Sequence, residues 1–368
     1  MFRRPTSIFS CSDSRRLVGV KNPAGLTGGL KWSCFPQQSI STSIPPSGQK
    51  RSTNRKWGKT KTQEADYLYG YHSVLPALER DRRVIRAVHI RQRDPIAPAT
   101  PEDRAYRARL LALAQEREVR VEHRTREELS KLSGGRPHQG VVLETDVLRD
   151  LPRLTHLTGP VPGGNGGHYY GVPTDAPNHL LPLPPPQVHG RSPLWLALDR
   201  IQDPQNLGAI LRSAYYFGVD GIILGTKESA LPSPTASRAS AGAMEFIDHF
   251  YHTTRMRTFL QKSAEAGWSI IGPMPPSSSG DEQDGKGGWG GGLPTLSLYP
   301  YSSPGPSILV FGNEGQGLGQ GLTQVLTHRI TIPSGNPTRS PWVDSLNVAT
   351  TAGILIHALT HSSASNSG

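Results

Sequence analysis

Cysteine is almost missing from this 368-residue chain: there are two, Cys11 and Cys34, both within the first 63 residues. The remainder can hold neither a disulfide nor a thiolate metal site. Long apolar runs are missing as well, and no stretch approaches the roughly 18 consecutive apolar residues of a membrane-spanning helix. Acidic residues are missing from one end. Residues 1–63 hold twelve Lys/Arg against a single acid, Asp13, and so account for the whole formal charge of +11. The rest balances, 28 basic residues to 28 acidic, and the sequence pI near 9.8 therefore says little about what the body binds. The basic end is rich in Arg and Ser and has no continuous apolar core. That excludes a secretory signal and fits a mitochondrial transit peptide, so residues 1–60 are expected to be a transit peptide and a disordered basic tail. Hydrophobic residues are scarce at 35%, while Gly (40) and Pro (33) abound, so part of the chain is expected to lie outside any core.

Two phosphate-binding signatures are also missing. The glycine loop at 312–321 carries no G-K-[ST], and the one G-K-T of the chain, Gly58-Lys59-Thr60, has Thr53 where a Walker loop needs its first glycine. The glycines of "LVFGNEGQGLGQG" fall at 312, 315, 317, 319 and 321, and none of them satisfies G-x-G-x-x-G. A nucleotide-dependent oxidoreductase fails on that spacing.

What is present is α/β alternation. Residues 67–80, "YLYGYHSVLPALER", carry apolar residues at helical spacing, and "VIRAVHIR" (84–91) alternates as a strand does. Thr100-Pro101-Glu102-Asp103 reads as a helix start, and Thr125 with Glu128 as a capping box. The strands "VRVEHR" and "HQGVVLETD" complete a small α/β domain over 65–150. Residues 151–192 show no periodic pattern and read as a Pro/Gly-rich linker. From 193 the pattern resumes as a parallel-sheet domain to 362, interrupted by a low-complexity insertion at 273–306. "IDHFY" reads as one of its short strands, and its final helix is expected to start at Ser345.

Ligands of open α/β sheets sit beyond the carboxyl ends of strands. Three segments meet that description: "GNEGQG" after an apolar strand, "IPSGNP" after another, and "SLNVATTAG" opening the last helix. Glu314 in the glycine loop repels phosphate; it suits a cationic or hydrogen-bond-donating ligand, a helix cap, or a pairing with an arginine. In "DPQNLGAILRSAYYFG", Asn206 lies at a helix start, where an N-cap role is the simple reading. Arg212 lies among apolar neighbours, which calls for a partner, a bound anion or an exit to solvent. The small residues 349–353 allow close helix packing. "RDRRVIRAVHIRQR" (80–93) offers a basic patch, either a solvated face or an RNA phosphate surface carrying Arg82, Arg83, Arg86 and Arg91.

Taken in order, these blocks resemble the SPOUT class, specifically the SpoU/TrmH-type RNA ribose 2′-O-methyltransferases, over residues 194–360. "SAGAME" (240–245) adds a weaker match. "YLYGYHSVLPALER" and "HQGVVLE", within 65–150, are similar to the family's ribosomal L30-like α/β RNA-binding domain, and with the basic tail the likeness is to mitochondrial large-subunit rRNA enzymes. The resemblance implies a C-terminal trefoil knot and a homodimer. It also implies S-adenosylmethionine as cofactor and a ribose 2′-OH in mitochondrial-matrix large-subunit rRNA, of a guanosine, as substrate, with no metal and no membrane. It places Arg212, Asn206, Glu314, Ser345 and Asn347 at the catalytic positions. Gly312, Ile332 and Leu346, with Asn313, Gly315 and Pro333, fall at the cofactor positions. Ala349 stands where the family usually has serine. A tRNA substrate, or a non-catalytic RNA-binding or ribosome-assembly role on the same fold, stays open at this point.

Overall fold

The computed structural model describes residues 65–361 apart from 81, 93–99, 149–150, 161–167, 184, 187–190, 275–292, 300, 337–342 and 344. The chain divides into two units, 1–59 and 60–368. The first unit, with the expected transit peptide and both cysteines, lies outside the described residues.

The N-terminal domain begins with a strand, β1 (Ala65–Tyr69), that runs into helix α1 (Tyr71–Glu79) through Gly70. The helical spacing of 67–80 hid this strand. Gly70 adopts φ +80 and makes the corner. Strand β2 (Ile85–Arg91), helix α2 (Pro101–Glu116), β3 (Arg120–Arg124), α3 (Arg126–Leu132) and β4 (Val141–Asp146) follow. Both expected helix starts are present. Thr100 accepts the Asp103 N–H at 3.1 Å, and Thr125 and Glu128 form a reciprocal capping box. The four strands pair in the order β1-β4-β2-β3, antiparallel except for β2–β3.

Residues 151–192 contain structure that composition concealed. Strands β5 (Leu154–Leu157), β6 (Tyr170–Pro173) and β7 (Leu181–Pro182) form a small antiparallel sheet. Strands of two to four residues are too short for alternation to register. Leu154, Leu157 and Leu183 pack into a cluster with Trp268 and Phe259, and the Trp268 indole N–H donates to the Thr158 carbonyl at 2.7 Å. The segment is therefore part of the body and not a linker.

The C-terminal domain runs β8 (Leu194–Leu198), α4 (Pro204–Tyr216), β9 (Gly221–Gly225), α5 (Pro234–Ala239), α6 (Ala243–Phe246), β10 (Phe250–Thr253) and α7 (Met256–Glu265). It continues β11 (Ser269–Pro273), β12 (Thr295–Leu296), β13 (Ser307–Phe311), α8 (Gln320–Thr323), β14 (His328–Ile330) and α9 (Val348–His361). Strand β10 lies slightly later than "IDHFY" predicts. All seven strands are parallel, in the order β10-β9-β8-β13-β11-β14-β12. Strands β8, β9 and β13 are buried along their whole length, which is why they read as unbroken apolar runs. One face of the sheet packs against α4 and α9, the other against α7 and the small sheet.

The order of the strands places the site. From β8 the chain leaves toward β9 and β10. Strand β13 is inserted later between β8 and β11, and its chain leaves in the opposite direction, toward β14. The carboxyl ends of β8 and β13 therefore form a switch point from which two loops diverge, leaving a crevice.

Candidate active site

The glycine loop folds on itself at this crevice. Asn313 accepts the Gly315 and Gln316 N–H groups, both at 3.0 Å, and donates to the Arg200 carbonyl at 3.2 Å. Its own carbonyl accepts the Gly317 N–H at 2.8 Å, with Gly317 at φ +62. A Cβ on Gly312 would stand 2.2 Å from the Gly317 carbonyl oxygen. Gly312 is thus required by the loop's own backbone crossing. The side chain of Asn313 is likewise committed, to its own loop and to the Arg200 carbonyl, and the N–H of Gly315 is consumed within the loop. Leu318 is buried, which packs the turn at 317–321 against the core.

This fold aims Glu314 at the other loop of the crevice. Its carboxylate accepts the N–H of Gln202 at 2.9 and 3.1 Å and that of Asp203 at 2.9 Å, with the Asn206 amide at 3.4 Å. Burial acts to raise its pKa, but these donors stabilise the anion and hold the carboxyl below the ordinary glutamate range. Asp203, not Asn206, caps α4, by accepting the Gln205 N–H at 2.8 Å. Asn206, freed from capping, accepts the Asn347 side-chain amide at 3.1 Å. Asn347 in turn accepts the N–H groups of Ala349 at 2.8 Å and Thr350 at 3.3 Å. The cap of α9 is therefore Asn347, two residues beyond the expected Ser345.

Three side chains from three distant segments thus form one hydrogen-bonded line, Glu314–Asn206–Asn347. Its polarity is fixed at both ends. A carboxylate can only accept and the helix N–H groups can only donate, so each amide has one possible orientation. The two loops and the start of α9 are locked together at the switch point.

Arg212 stands apart. It is exposed, and six residues along α4 from Asn206 corresponds to about 120° around the axis. Among the described residues it forms no ion pair, and the carboxylate of Glu314 is occupied by Gln202, Asp203 and Asn206. Glu314 therefore does not position Arg212. Ser345 and Leu346 are exposed at the start of α9, Leu346 at 51%, and Ile332 is half-buried against the core while Pro333 is exposed.

The expected RNA patch is corrected in part. Arg83 is fully buried as a side chain and pairs with the equally buried Glu245 at 2.8 Å, with Asp66 at 3.4 Å. Arg82 donates to the carbonyls of Met244 at 3.1 Å and Ile247 at 2.6 Å. Both hold the N-terminal domain to the "SAGAME" segment, so neither offers its charge to phosphate. Arg86 pairs with Asp146 at 2.6 Å near the surface, and Arg91 is exposed. A charge run in sequence does not reveal an acid 162 residues away, and Glu245 is that acid.

Comparison with known proteins agrees with this architecture. Residues 193–357 match the SpoU rRNA Methylase family, and residues 67–150 match an RNA 2′-O ribose methyltransferase substrate-binding domain. "rRNA methyltransferase 1, mitochondrial" of Homo sapiens is 33% identical over 300 residues, covering 81% of this chain and 73% of the relative. Its namesake in Schizosaccharomyces pombe is 32% identical over 298 residues, covering 81% and 90%. Among solved structures, a putative RNA methyltransferase of the TrmH family from Porphyromonas gingivalis shares the fold, with TM-score 0.52, 23% identity and coverage of 80% and 89%. AviRb from Streptomyces viridochromogenes, in complex with the cofactor AdoMet, shares it with TM-score 0.50 and 16% identity, covering 80% and 88%. The class is that of the RNA methyltransferases, a parallel α/β sheet with a pinned loop crevice. Within it, the chain belongs to the SpoU rRNA methylase family.

Proposed function

We propose that this protein methylates a ribose 2′-OH, that of a guanosine, in large-subunit rRNA of the mitochondrial matrix, with S-adenosylmethionine as methyl donor and as a homodimer knotted as its family resemblance implies. The observation that carries the reading is the Glu314–Asn206–Asn347 line, which joins the three blocks of the resemblance into one site. The names of the curated relatives and the acid-poor first 63 residues support the compartment.

The residues present fit the cofactor. Leu346 presents exposed apolar surface and Ile332 partly buried surface, suited to an adenine ring, and the backbone at Gly312 and Pro333 lies on the loops after β13 and β14. When bound, S-adenosylmethionine supplies an electrophilic methyl group on sulfur. The chain's task is to bring the 2′-oxygen into line and let its proton leave, so that the C–O bond forms as the S–C bond breaks. Positioning supplies much of such a rate. Arg212 has no described protein partner to give up, and its planar guanidinium suits bidentate grip of the target phosphate. It is effectively always protonated, so the proton passes to that phosphate or to water and not to Arg212. Ser345 and Asn347 lie at the entrance of α9 to orient the ribose, and Arg91, with Arg86 secondarily, provides surface charge for the RNA.

Purified protein incubated with S-adenosylmethionine and mitochondrial rRNA transcripts is expected to give a single ribose-methylated position, and S-adenosylmethionine alone to raise the melting temperature. Methylation confined to tRNA transcripts would overturn the substrate. Near-wild-type turnover by Arg212→Lys would remove the bidentate role.

A further inference from the structure

A second concave site lies against the later part of the glycine loop, Gly319 and Gly321, at the carboxyl ends of β8, β9 and β10. It is an open cavity of about 280 Å³. Arg200, Lys227, Arg255 and Arg257 line it, against two acids, Asp199 and Glu228. Charge is balanced over the body as a whole, so four cations to two carboxylates in one cavity is a local excess.

Three features show that the excess is built. The first is backbone strain. Arg200 and Glu228, both lining residues, adopt φ +54 and +55, which non-glycine residues rarely do. Strain of this kind persists where the surroundings over-determine it, and it gathers at binding sites. Arg200 is over-determined: its N–H donates to the Ser229 hydroxyl at 2.9 Å, its carbonyl accepts Asn313, and its Nε faces Asp199 at 3.3 Å. The second is helix α7, which opens on the cavity with no side-chain cap and no acid in its first turn. Arg255 and Arg257 occupy that turn, the end of a helix where its dipole disfavours cations. A bound anion would offset both costs. The third is availability. Lys227 and Arg255 are exposed, and neither forms an ion pair among the described residues.

The place of the cavity names its ligand. Arg200 is two residues from Gln202, whose N–H meets Glu314, a reach of at most about 7 Å along the chain. On the proposed function, an anion held here would lie near the Glu314 end of the hydrogen-bonded line.

We propose that this cavity is a phosphate-binding subsite that grips an RNA backbone phosphate neighbouring the target nucleotide, with Lys227 and Arg255 as its mobile cations and Arg200 as its fixed one. The proposal rests on the RNA methyltransferase reading above. It assigns register and affinity to this cavity and leaves cofactor binding to the loops after β13 and β14.

The test is the double variant Lys227→Ala/Arg255→Ala in the full chain, measured with a labelled mitochondrial large-subunit rRNA transcript. RNA affinity is expected to fall about tenfold, and the slope of log K against log salt to flatten by about 1 to 2. KM for the transcript should rise while the melting-temperature gain from S-adenosylmethionine is retained. The charge-preserving Lys227→Arg/Arg255→Lys should recover the wild-type slope. An unchanged slope and KM in the alanine variant would overturn the subsite. Inorganic phosphate provides a second arm. If it stabilises the wild type and not the variant while both show the same RNA slope, the site takes free phosphate and the RNA assignment is wrong. If the wild type methylates no transcript, the proposed function fails by itself, and the binding slopes still decide the subsite.

Discussion

At the scale of single residues, Glu314 and Asn347 do different work in the same line. The anion of Glu314 is held by two backbone N–H groups from the opposite loop. Its folded pKa lies below its unfolded value, which is about 4.3 for a glutamate. The stability it contributes is therefore complete above that value and is lost as pH falls through the lower folded pKa. Glu314→Gln should be less stable than wild type at pH 6, with the gap closing toward pH 3. Urea denaturation across that range measures it, and a gap that stayed constant would show that the charge is immaterial. Asn347 both caps α9 and donates to Asn206, and two substitutions separate those tasks. Asn347→Ala should cost about 1 kcal/mol for the lost cap and also slow methyl transfer. Asn347→Asp keeps a capping acceptor but has no amide to donate, so stability should stay near wild type while single-turnover rate falls. Equal rates for Asp and Asn would detach the line from catalysis.

At the scale of elements, the small sheet β5–β6–β7 shows how composition can mislead. Pro and Gly marked 151–192 as a linker, yet Leu154, Leu157 and Leu183 reach the same cluster as Trp268. The seam between this sheet and the C-terminal domain includes the Trp268 indole bond to the Thr158 carbonyl. Trp268→Phe keeps an aromatic ring but leaves that carbonyl without its donor. A loss of about 1 to 3 kcal/mol is expected. Chemical denaturation should show it, and Thr158, Tyr170 and nearby amides should exchange hydrogen faster. A variant as stable as wild type would mean that the small sheet rests on the body without supporting it. Gly242 teaches the same lesson at the other end. At φ +79, its Cβ would stand 2.3 Å from Pro76 Cγ and 2.5 Å from the His72 carbonyl oxygen. The "SAGAME" segment therefore serves as a seat for α1, which its weak match to the family pattern did not disclose.

At the scale of the whole molecule, long apolar runs made the parallel sheet legible, because β8, β9 and β13 are buried on both faces. The site was legible as three blocks because Glu314, Asn206 and Asn347 each stand in a distinctive local pattern. Their mutual bonds were not, since 108 and 141 residues separate the partners. The basic run at 80–93 misled for the same reason: Arg83 finds Glu245 only in the fold. That pair has consequences for the molecule as a unit. Both side chains are fully buried, and removing one partner strands the other charge, typically at a cost of about 3 to 5 kcal/mol. Residues 60–368 form one compact unit, so calorimetry of the wild type should show its two family domains melting together. Arg83→Ala should split that transition, with the N-terminal domain melting first. The double replacement Arg83→Met/Glu245→Leu leaves no stranded charge and should restore a single transition. If Arg83→Ala still melted as one, the aliphatic contacts of α1 with α5 and α6 would be holding the domains together without the ion pair. Because the pair lies away from the Glu314–Asn206–Asn347 line, cofactor binding should survive Arg83→Ala below the first transition while KM for RNA rises, separating the substrate domain's hold on RNA from the chemistry it serves.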